Sequence, residues 1–186
     1  MITGALVLAA GQSRRFGSDD KLLAPLRGKP MVSATFDLVR HTELDARLVV
    51  VSNPRVATLA EFHGLKAVQI ASGQEQSASL REGLAILRKK GVERLLVLLG
   101  DMPFLATGDI TRLLSCDGSQ ASCAQLNGQP MPPAVFPASW FDRLERTSGD
   151  RGASAMLRDI PTELRLPLAP ERLRDIDLRS DLSSLS

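Results

Sequence analysis

The strongest constraint on the fold is a strand-like run without polar alternation, RLLVLLGD at residues 94–101. Successive side chains of a strand point to opposite faces of its sheet. The unbroken apolar stretch from Leu95 to Leu99 therefore needs cover on both sides, which a parallel sheet layered between helices provides. GALVLAAG, residues 4–11, is a second continuous apolar run. RLVVVSN is a further strand, closed by Asn53-Pro54, and KAVQI is a short one.

Helix-period segments separate these runs. MVSATFDLVRH places Val32, Phe36 and Val39 on one face, and RVATLAEFHG ends at Gly64. QSASLREGLAILRKKG carries Leu80, Leu84 and Leu87 on one stripe and stops at Gly91. A helix near DITRLLS follows the RLLVLLGD strand. Strands alternating with helices predict an α/β fold with a mostly parallel sheet and right-handed crossovers. The second half is less regular. ASCAQL and PAVF read as strands around a Gly/Pro-rich loop at 127–133. ASWFDRLERT and GASAMLRD read as helices, and ELRLPL and RDIDL as short strands.

With 186 residues, no internal repeat and no linker, the chain reads as a single domain, 1–186. Its 44% hydrophobic and 24% charged residues are values of a globular protein. A formal charge of +2, 4% aromatic residues and no Tyr argue against a nucleic-acid partner. No apolar run approaches the roughly 18 residues that span a bilayer. The apolar start, MITGALVLAAG, lacks a basic flank and reads as a strand, not a secretory signal. Cys116 and Cys123, with six residues between them, match neither a redox pair nor a zinc site. They are expected as free thiols of a cytoplasmic protein with no membrane partner.

Ligands of open α/β sheets bind beyond the carboxyl ends of the strands. The first such end is Ala9-Ala10-Gly11, whose small side chains let a ligand approach the backbone. Arg14, Arg15, Lys21, Arg27 and Lys29 follow, against only Asp19 and Asp20. Such donors suit phosphate. The spacing fits neither a Walker A loop, since Gly17 is one residue too far and Ser18 stands in place of Lys, nor the dinucleotide G-x-G-x-x-G. On these residues alone, a phosphate cradle and a βα turn with solvated charge remain equal alternatives. Asp101 ends a second buried strand at the same sheet edge, where a carboxylate calls for hydration, a partner or a cation. Asp175 and Asp177 share one face if RDIDL is a strand. Two carboxylates from distant segments suit Mg²⁺, which completes its shell with substrate phosphates. Surface charge is the plainer account of that pair. No G-x-S-x-G elbow is present, and His41 and His63 have no Ser or Cys motif beside them.

Together, L-A-A-G-x-S-x-R-F-G-x-x-x-K at 8–21, G-K-P at 28–30, L-G-D-x-P at 99–103 and D-x-D at 175–177 resemble the MobA-like nucleotidyltransferases. Within that family they are most similar to the molybdenum cofactor cytidylyltransferase group. The resemblance spans essentially the whole chain. It implies a Rossmann-like three-layer αβα nucleotidyltransferase fold, with Mg²⁺, or Mn²⁺ in its place, as cofactor. It places Leu8, Ala9, Ala10, Gly11 and Ser13 around the nucleotide, Arg15 and Lys21 on its triphosphate, and Asp101 and Asp177 on the metal. Arg15, Lys21 and Asp101 are thereby the expected catalytic residues. Whether Asp175 joins the metal site stays open. QSASL, with Ser77 and Ser79, resembles a segment lining the nucleotide pocket, and SGDRGA at 148–153 a turn near the acceptor. Leu8-Ala9-Ala10-Gly11, where guanylyl-transferring members tend to read L-A-G-G, favours CTP over GTP. The implied acceptor is molybdopterin-like and phosphorylated, with a molybdoenzyme or its chaperone as downstream partner. Alternatives are a guanylyltransferase using GTP or a sugar- or alcohol-phosphate nucleotidylyltransferase of the same superfamily, and a non-catalytic nucleotide-binding chaperone for molybdoenzyme maturation. Glu75 stands where the family often has Gly, and GQPMPPAVF where a G-H-P-V type segment is usual.

Overall fold

The computed structural model describes residues 1–11, 16, 20–149, 152–174 and 176. Its centre is a seven-stranded sheet. In chain order the strands of the molecule are β1 (Thr3–Ala9), β2 (Pro25–Leu26), β3 (Lys29–Pro30), β4 (Ala46–Val51), β5 (Lys66–Gln69), β6 (Arg94–Leu99), β7 (Ser122–Leu126), β8 (Gln129–Pro137) and β9 (Arg165–Pro167). The helices are α1 (Val32–His41), α2 (Pro54–Phe62), α3 (Gln76–Lys89), α4 (Thr107–Leu114) and α5 (Phe141–Glu145). The sheet runs β5-β4-β1-β6-β8-β7-β9, and β2 and β3 form a separate hairpin.

The β5, β4, β1 and β6 ladders are parallel. Only β8 opposes its neighbours, pairing antiparallel with both β6 and β7. The sheet is thus mostly parallel, as the unbroken apolar runs require. In β1, Ala5, Val7 and Ala9 pack into a layer with Phe36, Val39, Val56, Ala60, Ile110 and Leu113 of α1, α2 and α4. The intervening Leu6 and Leu8 pack into a second layer with Leu80, Leu84 and Leu87 of α3 and Phe141 and Leu144 of α5. No helix among the described residues is long and apolar enough to cross a membrane.

The second half corrects three expectations. The segment read as a loop at 127–133 is largely strand, because β8 already starts at Gln129. Asn127 and Gly128, at φ 50° and 79°, close a two-residue hairpin of the type that demands positive φ at both positions. Of the prolines that suggested a loop, Pro132 and Pro133 lie where the β7–β8 register shifts, opposite the Cys123–Ala124 step, a place where a missing N–H is tolerated, while Pro130 pairs in register with Gln125. GASAMLRD is a 3-10 helix, Gly152–Asp159, and ASWFDRLERT shrinks to a 3-10 turn followed by α5. The RDIDL strand falls mostly outside the described residues; Ile176 is fully buried in the first core layer. Cys116 and Cys123 are free thiols.

Candidate active site

Parallel β1, β4 and β6 end together, and their carboxyl ends carry Ala9, Val51 and Leu99. Just beyond β1 and β6 opens a cleft of about 330 Å³, lined by Leu8, Ala9, Ala10, Gly11, Lys21, Leu22, Gly73, Gln74, Gln76, Ser79, Leu99, Gly100 and Asp101. Small residues form one wall, and at Gly100 the space is tight. A Cβ on Gly100 would lie 3.2 Å from the Ala9 Cβ and 3.4 Å from Val32. Among the described residues, a Cβ on Gly11 would meet nothing within 4 Å.

The turn bearing Asp101 is pinned from two sides. The Gly100 N–H donates to the Leu8 carbonyl at 3.0 Å, and the buried Thr35 hydroxyl of α1 donates to the Gly100 carbonyl at 3.4 Å. Lys21 arrives on a 3-10 turn, Lys21–Leu23, whose first N–H groups are capped by Asp20: the Leu22 N–H donates to its carboxylate at 3.0 Å. Asn53 donates to the other Asp20 oxygen at 2.8 Å and caps α2 through Arg55 N–H. The chain after β1 is thereby tied to the end of β4. The Ser52 hydroxyl adds a bond to the Ala10 carbonyl at 3.3 Å.

The centre of the cleft is an ion pair. Lys21 Nζ lies 2.7 Å from Asp101 Oδ2, and the two side chains are only 15% and 20% exposed. Opposite, α3 starts at the wall: Gln76 and the nearly buried Ser79 of its first turn line the cleft. The N-terminal end of a helix carries a partial positive charge that favours anions; in α3 the Ser77 N–H already donates to the Gly149 carbonyl at 3.4 Å and the Ala78 N–H to the Glu75 carbonyl at 3.0 Å, so the helix offers its dipole and not a row of open donors. A small apolar floor, a lysine, a helix N-terminus and a carboxylate suit a phosphorylated ligand together with a cation.

Of the residues singled out in the sequence, Leu8, Ala9, Ala10, Gly11, Lys21, Ser79 and Asp101 are brought together here. Ser77 is not: it is fully buried, and its hydroxyl donates to Glu75 Oε2 at 3.3 Å, away from the lining. The same Glu75 oxygen accepts the Gly149 N–H at 2.8 Å, and Arg81 donates to the Thr147 carbonyl at 2.9 Å. Glu75, the departure from the family's glycine, thus clasps the 147–149 turn onto α3. Ser13, Arg15, Asp175 and Asp177 lie outside the described residues. Leu22, Gly73, Gln74, Gln76, Leu99 and Gly100 were not singled out as site residues. Gln76, Leu99 and Gly100 carried a signal, as members of the motifs QSASL and L-G-D-x-P. Of the two histidines, His63 packs structurally, its Nδ1 2.9 Å from Asp37 Oδ1.

A mostly parallel αβα sheet with an anion-suited cleft at its carboxyl edge defines the class, a nucleotide-binding α/β protein. Residues 5–166 match the MobA-like NTP transferase domain, and the chain belongs to that family of nucleotidyltransferases. It is 31% identical over 163 residues to a 2-C-methyl-D-erythritol 4-phosphate cytidylyltransferase of Cereibacter sphaeroides (strain KD131), covering 85% of this chain and 70% of that one. It is 26% identical over 171 residues to a probable molybdenum cofactor guanylyltransferase of Aquifex aeolicus (strain VF5), covering 87% and 82%. The chain spans 64–70% of the length of the Cereibacter sphaeroides cytidylyltransferases it matches. Its fold superposes on the crystal structure of Rv0371c from Mycobacterium tuberculosis H37Rv with a TM-score of 0.83 at 24% identity, over 99% of this chain and 96% of that one.

Proposed function

We propose that the protein transfers CMP from CTP to a phosphorylated acceptor of the molybdopterin type and releases pyrophosphate. The observation that carries this reading is the convergence of the Ala9–Gly11 turn, the α3 N-terminus and the Lys21–Asp101 pair on one cleft. The cytidylyltransferase among the relatives supports the nucleotide, and the cofactor guanylyltransferase supports the acceptor class.

In this reading an acceptor phosphate oxygen attacks the α-phosphorus of CTP. The bond to the β-phosphate oxygen breaks, and its electron pair leaves with pyrophosphate. No protein nucleophile is needed; positioning and charge carry the reaction. Ala9, Ala10 and Gly11 let the nucleotide lie against the backbone. Lys21, with Arg15 as its proposed companion, stabilises charge on the leaving pyrophosphate. Asp101 has the chemistry of a Mg²⁺ or Mn²⁺ ligand: a hard oxygen donor, largely shielded, beside open space for phosphate oxygens. Asp177 is its proposed second carboxylate. Such an ion supplies charge neutralisation at the phosphates.

The test is pyrophosphate release from CTP, GTP, ATP and UTP, each with and without molybdopterin. CTP with molybdopterin should react fastest. Release with 2-C-methyl-D-erythritol 4-phosphate instead would reassign the acceptor to an alcohol phosphate, the reading that the Cereibacter sphaeroides relatives favour. Binding without release from any nucleotide would mark a chaperone. Asp101→Asn should lower kcat by about 10²–10³ with an unchanged circular dichroism spectrum. Near-normal CMP transfer by that variant would remove Asp101 from the site.

A further inference from the structure

Glu75 stands between two residues of the cleft lining, Gln74 and Gln76, and its own side chain is bonded elsewhere. It is the N-cap residue of α3, a position whose side chain ordinarily accepts an N–H of its own helix. The Glu75 carboxylate reaches a distant segment instead: Oε2 accepts the Gly149 N–H at 2.8 Å, and with it the Ser77 hydroxyl at 3.3 Å. Gly149 returns the contact, its carbonyl accepting the Ser77 N–H at 3.4 Å. A φ of 85°, which glycine adopts without strain, lets both groups of Gly149 meet the start of α3. One turn along α3, Arg81 donates to the Thr147 carbonyl at 2.9 Å. The Thr147 hydroxyl donates in turn to the Leu144 carbonyl at 2.7 Å, and Leu144 is fully buried in the second core layer. A continuous set of bonds therefore runs from the core, through the 147–149 turn, to the wall of the cleft.

We propose that Glu75 is a positioning residue: by clasping the 147–149 turn it fixes the cleft wall at 73–76 where a nucleotide meets it. The inference rests on the reading of the cleft as the nucleotide site. Gln74 and Gln76 are the chain neighbours of Glu75, so releasing the carboxylate loosens both. A wall held in place before the ligand arrives has less freedom to lose on binding. It touches the nucleotide in ground state and transition state alike, so the clasp acts on KM and not on kcat. The negative charge of Glu75 by itself opposes an anionic ligand. Charge and clasp thus have opposite signs, and substitutions can separate them.

Isothermal titration calorimetry with CTP and Mg²⁺ compares wild type, Glu75→Gln, Glu75→Met and Lys21→Gln. Gln keeps an acceptor for the Gly149 N–H and drops the charge, so Glu75→Gln should bind CTP at least as tightly as wild type. Met has a similar stem and no comparable acceptor. Glu75→Met should bind about tenfold more weakly, within the range of coupling carried by hydrogen-bond networks, although loss of charge alone would tighten binding. In pyrophosphate release its KM for CTP should rise by the same factor at unchanged kcat. Equal CTP affinity in Glu75→Gln and Glu75→Met overturns the proposal. Glu75→Met also strands the buried Ser77 hydroxyl. Adding Ser77→Ala removes that hydroxyl, and affinity should stay low; its recovery would trace the loss to the hydroxyl and overturn the clasp. Lys21→Gln tests the underlying reading separately and should weaken CTP binding whatever Glu75 does. Wild-type affinity in Lys21→Gln would place the nucleotide outside this cleft, and the site reading would fail together with the clasp.

Discussion

Single residues show what a linear motif conceals. Ser77 and Ser79 look equivalent in QSASL, yet two helical residues are rotated by about 200° from each other. Ser79 consequently lines the cleft while Ser77 faces Glu75. Ala9, Ala10, Gly11, Lys21 and Asp101 were legible because each stands at a strand end or in a run of charge. Gly73 and Gln74 were not, because nothing in their chemistry marks them until the fold brings them to the same wall. The cysteines give a direct test at this scale. Burial pushes the Cys123 thiol from the ordinary 9.0 to about 11. It should resist iodoacetamide in the native protein at pH 8, while the partly exposed Cys116 reacts, as peptide mass spectrometry would read. The linkage has a definite sign. Below pH 9 the thiol is protonated in both folded and unfolded chains, so its contribution is complete. As pH rises towards 11 the unfolded chain ionises first, and stability falls by on the order of 2 kcal/mol. Urea unfolding of wild type against Cys123→Ala between pH 8 and 11 should show that fall only in wild type.

The elements are joined by a few close approaches and caps. Helix α3 crosses β1 at Gly83, where an added Cβ would overlap the fully buried Leu6 side chain. Gly83→Ala gains about 1 kcal/mol in helix propensity but overfills a packed layer, which typically costs about 1–3 kcal/mol. A net loss of up to about 2 kcal/mol in urea unfolding is expected. Two arginines at strand starts close the C-terminal ends of helices. Arg47 donates to the Val39 and Thr42 carbonyls at 3.0 and 2.7 Å, finishing α1. Arg94, at the start of β6, donates to the Leu114 and Cys116 carbonyls at 2.7 and 2.9 Å, finishing α4. Burial lowers the Arg94 pKa from the ordinary guanidinium value. Arg94→Met should cost about 1–3 kcal/mol and leave those carbonyls unpaired. Amide exchange at the end of α4 should quicken before that of β6. Neither arginine was readable in the sequence as a cap, since its partner carbonyls lie on a different element.

At the scale of the whole molecule, the parallel half was legible because strands buried on both faces cannot disguise themselves. The antiparallel half was harder to read, since β8 carries prolines that signal a loop in isolation; Pro132 and Pro133 fall where its ladder shifts, while Pro130 and Pro137 pair in register. The two core layers that result lie on opposite faces of one sheet, and the chain's end returns to the first of them through Leu173 and Ile176. The reading of residues 1–186 as one domain then has a sharp consequence. The only tryptophan, Trp140, packs on the second layer, 5.6 Å from Phe136 between ring centroids. It therefore reports from the side of the sheet opposite to Ile176. Ile176→Ala removes buried methyl groups and should cost about 2–5 kcal/mol. In a chain that unfolds as one unit, the loss in one layer must appear in full in the other. Tryptophan fluorescence and far-ultraviolet circular dichroism should then shift to the same lower urea midpoint. A fluorescence midpoint that stayed at the wild-type value while the dichroism signal moved would show that the layers melt separately, and that the sheet does not bind them into a single cooperative domain.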